Sequence, residues 1–241
     1  MRKNNFTFKS EKIVYYYQKR LKKSFQERVR ISNLLTQENK LRETGHLLIA
    51  GIDEVGRGAL AGPVIASAVI LPELIYIPNI RDSKRLSPRQ RLDLYRIILE
   101  KAITIGIGIV HAYIIDQINI QQATFIAMKK AIKSLKSNPN YILVDGFKIP
   151  QLDIPQLRFI RGEEISISIA CASIVAKVYR DNLMYYYHQK YPLYHFEQNK
   201  GYGTREHLLA LKKYGASEIH RKTYKGVGDI SIFDNGEDKL K

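Results

Sequence analysis

The chain has 241 residues and is 45% hydrophobic, which is enough for one ordinary core with a smaller appendage. Its formal net charge of +16 favours a polyanionic partner such as nucleic acid, although a solvated basic surface without a ligand is an open alternative. No signal-type segment and no apolar run of about 18 residues occurs, which excludes a membrane-spanning helix. Cys171 is the single cysteine, so an internal disulfide is excluded. Together these features predict a cytoplasmic protein.

Residues 1–46 are predicted to be a basic helical extension. They carry 12 basic and four acidic residues, so this segment holds a net charge of +8, half that of the whole chain. Apolar residues recur there at helical spacing, which predicts an amphipathic helix with a basic outer face. They are Val14, Tyr17, Leu21 and Phe25. The helix either packs on the body of the protein or contacts nucleic acid, and the sequence leaves both interpretations open.

From Leu47 onward, short apolar strands alternate with helical patterns, which predicts one layered α/β domain over residues 47–224. Ser87 with Pro88, and Thr204, are typical of helix starts, and Gly215 is typical of a helix end. The predicted strands cover residues 47–53, 64–71, 104–114, 141–147 and 157–162, and all but 104–114, whose pattern alternates, are predicted to be buried. The predicted helices cover residues 87–102, 121–135, 166–191 and 204–215, followed by a polar tail over 225–241.

Three carboxylates follow the apolar runs of this domain. Asp53 and Glu54 follow one strand and Asp145 follows another, and ligands of open α/β sheets collect at strand ends. Two adjacent carboxylates repel each other unless a cation lies beside them, which favours a Mg²⁺ or Mn²⁺ site. Neighbouring residues of a regular strand face opposite ways, so we expect the strand to end or bulge at this point. For Asp145 alone, a turn-forming role is the alternative.

A glycine-rich turn, Gly56–Arg57–Gly58, follows the first acid pair. Glycines let main-chain groups approach a ligand closely, and Arg57 can meet a phosphate. Such a turn could contact a ribose 2′-hydroxyl, the group that distinguishes RNA from DNA. The alternative is a turn that only reverses the chain.

Seven sequence blocks lie in order between Leu47 and Tyr224. They are GIDEVGRGALAGPV (51–64), DSKRLSP (82–88), NI (119–120), YILVDG (141–146), ASIVAKVYRD (172–181), NKGYGT (199–204) and HRKTY (220–224). Together they closely resemble bacterial ribonuclease HII. The resemblance implies a ribonuclease H-like fold, in which helices flank a mixed central sheet and a small helical part follows. It also implies a metal-dependent endonuclease, using Mn²⁺ or Mg²⁺, that hydrolyses the RNA strand of RNA/DNA hybrids. Cleavage 5′ of a ribonucleotide embedded in duplex DNA, leaving a 3′-hydroxyl and a 5′-phosphate, is implied as well, and we expect a monomer.

The resemblance also assigns residues. Asp53, Glu54 and Asp145 correspond to the metal-binding acids of the family, and Gly56, Arg57 and Gly58 to the turn that senses the ribonucleotide. The implied substrate contacts are Tyr202, stacking on a deoxyribose, Lys84 on a phosphate, and, as a weaker candidate with surface solvation as its alternative, Lys177.

The fourth acid of the family motif departs from the usual pattern. The aligned stretch is RGEEIS, residues 161–166, so Glu163 stands where aspartate is usual and Ile165 replaces a lysine. The extra methylene moves the carboxylate by about one C–C bond. Asp181 is the second candidate for this role, and a structural role for Asp181, paired with Arg180 or a loop amide, is the preferred interpretation.

Two other functions are compatible with parts of the sequence. A non-catalytic basic protein of the same fold would explain the charge, but acids at strand ends would repel its phosphates unless a metal were bound. Another two-metal nuclease of this broad fold, such as an integrase or a junction resolvase, would explain the acids. Discrimination between duplexes with and without a ribonucleotide separates that class from the first interpretation.

Overall fold

The computed structural model describes residues 4–228, with side chains from residue 15 onward. Two helices, α1 (Asn4–Leu34) and α2 (Thr36–Glu43), precede the sheet. The strands are β1 (Ile49–Val55), β2 (Val64–Ile70), β3 (Thr104–Val110), β4 (Tyr141–Asp145) and β5 (Gln156–Phe159). The remaining helices are α3 (Pro88–Lys101), α4 (Ala112–Lys133), α5 (Ile167–Lys190), α6 (Phe196–Asn199) and α7 (Arg205–Tyr214). Among residues 4–228, no helix has both the length and the apolar character to cross a bilayer.

The five strands form one mixed sheet in the order β3-β2-β1-β4-β5. β1 pairs antiparallel with β2 and parallel with β4. Helix α4 packs on one face of the sheet, and α3 and α5 pack on the other. Helix α5 lies so close to β1 that a Cβ on Gly51 would stand 2.1 Å from the carbonyl carbon of Ser168, which explains the glycine. The predicted α/β architecture is confirmed.

Local sequence accounts for the helix ends. Ser87 and Gln90 form a reciprocal capping box at the start of α3, with Pro88 in the first turn. The Thr204 hydroxyl accepts the amide of His207 at the start of α7, and Gly215 ends that helix with a positive φ of 72°. The helix ends predicted from Ser87, Pro88, Thr204 and Gly215 are confirmed.

Two strand predictions are wrong in part. β3 stops at Val110, His111 is the N-cap of α4, and residues 112–114 begin that helix, which continues through a non-helical residue at Asn119. β5 was predicted to be buried, yet none of its residues is buried, and it lies at one edge of the sheet. Edge position is set by strand order, which local composition does not reveal.

The N-terminal extension differs from its prediction. It forms two helices, and its predicted apolar stripe does not pack, since Tyr17, Leu21 and Phe25 are 57%, 69% and 69% exposed. Val14 lies where side chains are not described. Apolar packing on the body begins at Ile31 and Leu34, which join the core beside α3 and α5.

Glu38 of α2 fixes the extension to the start of α5. Its carboxylate is fully buried and accepts bonds from the Ser166 hydroxyl at 2.6 Å and the Ser168 amide at 3.0 Å. Buried carboxylates need such donors, and amides at a helix start are suited to the role. The extension is therefore anchored directly beside the segment that carries Glu163.

The C-terminal part is a small helical cluster around Tyr194, Phe196 and Leu211. Val227 is buried in that cluster, so packing extends past residue 224. The rest of the predicted tail, from residue 229, lies outside the described residues. The proposed boundaries at 46 and 224 remain predictions. Cys171 is buried in α5, as its apolar neighbours predicted.

Candidate active site

Asp53 and Asp145 are brought together by strand register. Gly51 pairs with Leu143 across the parallel strands β1 and β4, so the positions two residues further on are again neighbours. Both carboxylates point to the face covered by α5, because strand side chains alternate. The sheet therefore places two acids side by side at the carboxyl ends of its central strands.

Glu54 reaches the same cleft from the opposite side of β1. The expected break or bulge is wrong, because β1 continues in regular register with β2 to Val55. The pairing of β1 with β4 ends at Ile52 and Val144, which leaves this edge of β1 open. Glu54 can therefore line the cleft around that edge, where Arg57 approaches its carboxylate at 3.5 Å.

Glu163 is the fourth acid of the cleft. It lies in a short 3₁₀ turn, Gly162–Glu164, whose Gly162 amide donates to Oδ1 of Asp145 at 2.7 Å. This bond ties the RGEE segment to β4. Oε2 of Glu163 is buried and has no hydrogen-bond partner within the described part of the chain. A buried carboxylate oxygen without a partner is costly unless a cation or a water binds it.

The cleft holds about 390 Å³ between the strand ends and α5. Its lining residues are Asp53, Glu54, Val55, Asp82, Ser83, Lys84, Asp145, Glu163, Ser173, Lys177 and Tyr202. The acid pair and its neighbours thus share one solvent-reaching cavity with two lysines and a tyrosine.

The charges of the acids are poorly compensated. Burial raises the pKa of Asp53 well above its usual value, and the nearby Glu54 and Asp145 carboxylates raise it further. Burial also raises the pKa of Glu54, an effect that Arg57 opposes. The pKa of Glu163 is raised by burial and by Asp145. The site therefore resists its own full ionisation, as a cation-binding site does before the cation binds.

The conformation of the glycine turn is fixed by contacts to its main chain. Gly56 has a φ of +92°, and a Cβ there would stand 2.3 Å from Nε of Arg180, so only glycine fits. Gly58 does not have a positive φ, and a Cβ there would meet open space. The Arg57 guanidinium lies 5.4 Å from the Phe147 ring centroid, at the mouth of the cleft. The turn thus presents Gly58 and Arg57 to solvent.

Two fully buried arginines hold this turn, and the sequence did not predict them. Arg221 donates to the carbonyls of Gly56 and Arg57, both at 2.7 Å, and to that of Gly62. Arg180 donates to the carbonyls of three further residues, and burial lowers its pKa to about 10. These acceptors are Ala61, Pro63 and Lys200. The spacing of Arg180 four residues from the buried Ala176 and Met184 was the available indication.

Most of the other site residues predicted from the sequence line the cleft, and one lies outside it. Lys84, Lys177 and Tyr202 line it, and Tyr202 lies over the guanidinium of Arg180 at 5.4 Å. Lys177 is not merely solvated, because it pairs with Asp181 at 2.7 Å. Asp181 does not line the cleft, and it pairs with Lys177 and Arg91 rather than with Arg180. The functional roles of all these residues remain predictions.

A histidine pair supports the Tyr202 main chain. Nε2 of His207 and Nε2 of His220 lie 3.0 Å apart, and Nδ1 of His207 lies 2.9 Å from the Tyr202 carbonyl. The Ser217 amide donates to Nδ1 of His220 at 2.9 Å. These contacts assign one consistent tautomer to each neutral ring, with the final N–H donated to Tyr202. Burial, together with the neighbouring His207, lowers the pKa of His220 to about 4.

The cleft has the donor chemistry of a divalent-cation site. Carboxylate oxygens are the ligands that Mg²⁺ and Mn²⁺ prefer, and the partnerless Oε2 of Glu163 is an available one. Between residues 4 and 228, no three His, Cys, Asp or Glu side chains are arranged tightly enough to hold an ion as they stand. Binding therefore requires small side-chain rotations within the cleft.

Solved structures define the class of fold. Ribonuclease H2 from Pyrococcus horikoshii OT3 superposes with a TM-score of 0.68 at 23% identity, over 78% of this chain and 99% of its own. Bst-RNase HIII, solved in complex with Mn²⁺, superposes with a TM-score of 0.60 at 16% identity, over 80% and 72%. The fold is that of the ribonuclease H2 and H3 enzymes.

Sequence comparison narrows this class to one family. The family model for ribonuclease HII matches residues 50–227. The ribonuclease HII of Caldanaerobacter subterraneus subsp. tengcongensis is 54% identical over 195 residues, which cover 81% of each chain. The chain belongs to the ribonuclease HII family, as the seven sequence blocks predicted.

Proposed function

We propose that this protein is an endonuclease that hydrolyses the RNA strand of RNA/DNA hybrids and cuts 5′ of ribonucleotides embedded in duplex DNA. The products would be a 3′-hydroxyl and a 5′-phosphate. The observation that carries the proposal is the pair of acids Asp53 and Asp145, in register beside a glycine turn, in a chain of the ribonuclease HII family. We expect it to act as a monomer in the cytoplasm, where its single buried cysteine stays reduced.

Asp53, Glu54, Asp145 and Glu163 would hold the divalent metal, Mn²⁺ or Mg²⁺. The poor charge compensation of these acids and the partnerless Glu163 oxygen support this set, and Bst-RNase HIII was solved with Mn²⁺. These residues would hold two such ions, and the chemistry that the bound metal would supply is activation of a water and stabilisation of the departing 3′ oxygen of the phosphodiester. Glu163 supplies the carboxylate for which most family members use aspartate.

The remaining cleft residues would position the nucleic acid. Lys84 would contact a phosphate next to the acids, and Tyr202 would stack on the neighbouring deoxyribose. The exposed Gly58 main chain and Arg57 would meet the ribose 2′-hydroxyl and its phosphate, since nothing of the protein fills that space. Lys177 is a second phosphate contact, provided that it leaves its pairing with Asp181.

Replacement of Asp145 by asparagine tests the site. We expect turnover of a duplex with one ribonucleotide to fall by at least a hundredfold, about 2.7 kcal/mol, with affinity largely kept, because the lost interaction acts in the transition state. The matched control is Asp153→Asn, which makes the same change at an exposed acid outside the cleft. Equal rates for Asp145→Asn and wild type in Mg²⁺ or Mn²⁺ would refute the site assignment.

Substrate choice tests the assignment of the turn. Wild type should cut the duplex with one ribonucleotide and leave the all-DNA duplex of the same sequence intact. Cleavage of both at similar rates would instead favour a two-metal DNA nuclease and remove the role given to residues 56–58. Binding without cleavage in either metal would favour a non-catalytic nucleic-acid binder.

A further inference from the structure

A second cavity adjoins the acid cleft on the side of the N-terminal extension. It holds about 510 Å³ between α1, the segment before α3 and the Gly162–Glu164 turn. Its lining residues are Arg30, Asn33, Leu34, Arg81, Asp82, Arg85, Glu163 and Glu164. Asp82 and Glu163 line both cavities, so the second one opens beside the candidate metal ligands. We call it the arginine cavity.

Arg30, Asp82 and Glu164 of this cavity have partners within the protein. Glu27 accepts two bonds from Arg30, at 2.9 and 2.6 Å, and one from the Asn79 amide at 2.7 Å. This arrangement fixes α1 to the loop that leads to Arg81. Glu164 pairs with Arg161, and Oδ1 of Asp82 accepts the Lys84 amide at 2.9 Å. Each of these groups is thereby held in place by the protein itself.

Arg81 and Arg85 differ from these groups. Both are exposed, and neither forms an ion pair with a carboxylate anywhere in residues 15–228. Two guanidinium groups that line one cavity without a carboxylate at ion-pair distance are available for phosphate, which arginine binds through two parallel N–H donors. A surface placed for solubility alone would not need to line a cavity next to the acids.

We propose that Arg81 and Arg85 bind backbone phosphates of the substrate duplex next to the nucleotides in the acid cleft. This inference rests on the proposed function and adds to it two residues to which the resemblance assigns no role. Glu163 in the shared wall would face the metal, and the arginines would face the phosphates further along the backbone. The duplex would then continue along α1, where Lys19 and Lys23 are exposed on the same helix face as Arg30.

The double variant Arg81→Ala/Arg85→Ala tests the proposal on an uncleaved duplex. Binding would be measured in the Asp145→Asn background by fluorescence anisotropy across a salt series. We expect about tenfold weaker binding and a slope of log K against log salt that is smaller by about 1.8, because two phosphate contacts no longer release counterions. In the otherwise wild-type enzyme, KM should rise by the same factor with kcat unchanged.

The matched control is Lys133→Ala/Lys136→Ala. It removes the same charge from exposed positions at the end of α4, on the other face of the sheet. The control should leave the salt slope unchanged, which separates a local contact from loss of net charge. Arg81→Lys/Arg85→Lys, which keeps the charge, should retain most of the slope.

The results separate this inference from the proposed function. If Arg81→Ala/Arg85→Ala and the control Lys133→Ala/Lys136→Ala have equal salt slopes, the inference is overturned even if wild type cuts at ribonucleotides. A reduced slope specific to the arginine variant would uphold it as a nucleic-acid contact, even if wild type failed to cleave. Thermal melting of each variant would verify that the fold is intact.

Discussion

Two groups of charged side chains lie next to each other at the end of β1, and they differ in how the protein compensates their charge. The acids Asp53 and Asp145 share one wall of a cleft, and burial together with mutual repulsion raises the pKa of Asp53. Arg180 and Arg221 lie just behind the glycine turn, and main-chain carbonyls accept their N–H groups. Neither arginine forms an ion pair with those acids in the described residues.

This difference in charge compensation distinguishes buried charges that stabilise the fold from charges that form a binding site. A buried charge whose hydrogen bonds are supplied within the protein, mostly by main-chain carbonyls, is stable without a ligand, and it fixes the backbone that it touches. A group of carboxylates with a partnerless oxygen is stable only when protonated or when a cation binds. We therefore assign the arginines to the scaffold of the turn and the acids to metal binding.

The largest expected effect is on the free energy of unfolding, through an arginine that holds the glycine turn. Arg221→Met would leave the carbonyls of Gly56, Arg57 and Gly62 without their donors in a buried site, at a cost of about 3 kcal/mol or more in the free energy of unfolding. Chemical denaturation would measure it, with the exposed Arg96→Met as control. A loss below about 1 kcal/mol would show that the arginine does not hold the turn.

The fourth acid should matter less than Asp145, since Glu163 lies at the rim of the cleft. Glu163→Ala should lower kcat by about tenfold, and Glu163→Asp should stay near wild type because the carboxylate is kept. Asp181→Ala is the control, as Asp181 is paired with Lys177 and Arg91 outside the cleft. A larger loss in Asp181→Ala than in Glu163→Ala would reverse the assignment.

The smallest effect is a pH dependence from the histidine pair. The pKa of His220 falls from 6.5 to about 4 on folding, so the unfolded chain binds the proton more readily. Stability from this group is complete above about pH 6.5 and decreases as the pH falls towards 4. Melting temperatures of wild type and His220→Gln between pH 4 and 7 should converge at the acid end.

The melting temperatures of wild type must be compared with those of His220→Gln, because protonation of Asp53 changes stability in the opposite sense. Its raised pKa means that the folded chain binds this proton more readily, so acidification favours folding at that site. The difference between wild type and His220→Gln removes this shared contribution. A difference that does not change with pH would contradict the neutral pair.

The sequence predicted the parts of the fold that depend on neighbouring residues. Ser87 and Pro88 specified the start of α3, and the apolar runs specified β1, β2 and β4. The convergence of Asp53 and Asp145 followed from strand ends alone. The regular course of β1 through Glu54 was missed, because the early end of the β4 pairing depends on tertiary register.

Long-range packing decided the remaining features. The burial of Arg221 depends on a turn 160 or so positions earlier in the chain, about which its own neighbours carry no information. Helical spacing predicted an apolar stripe on α1 but not that Leu21 and Phe25 would stay exposed. Periodicity identifies a face of a helix, whereas the presence of a partner for that face is a property of the whole fold.

Crystals soaked in manganese test the central claim most directly. We expect an anomalous peak in the cleft between the carboxylates of Asp53 and Asp145, and its loss in the Asp53→Asn/Asp145→Asn variant. Absence of any peak beside these two acids in the wild-type protein would contradict the account.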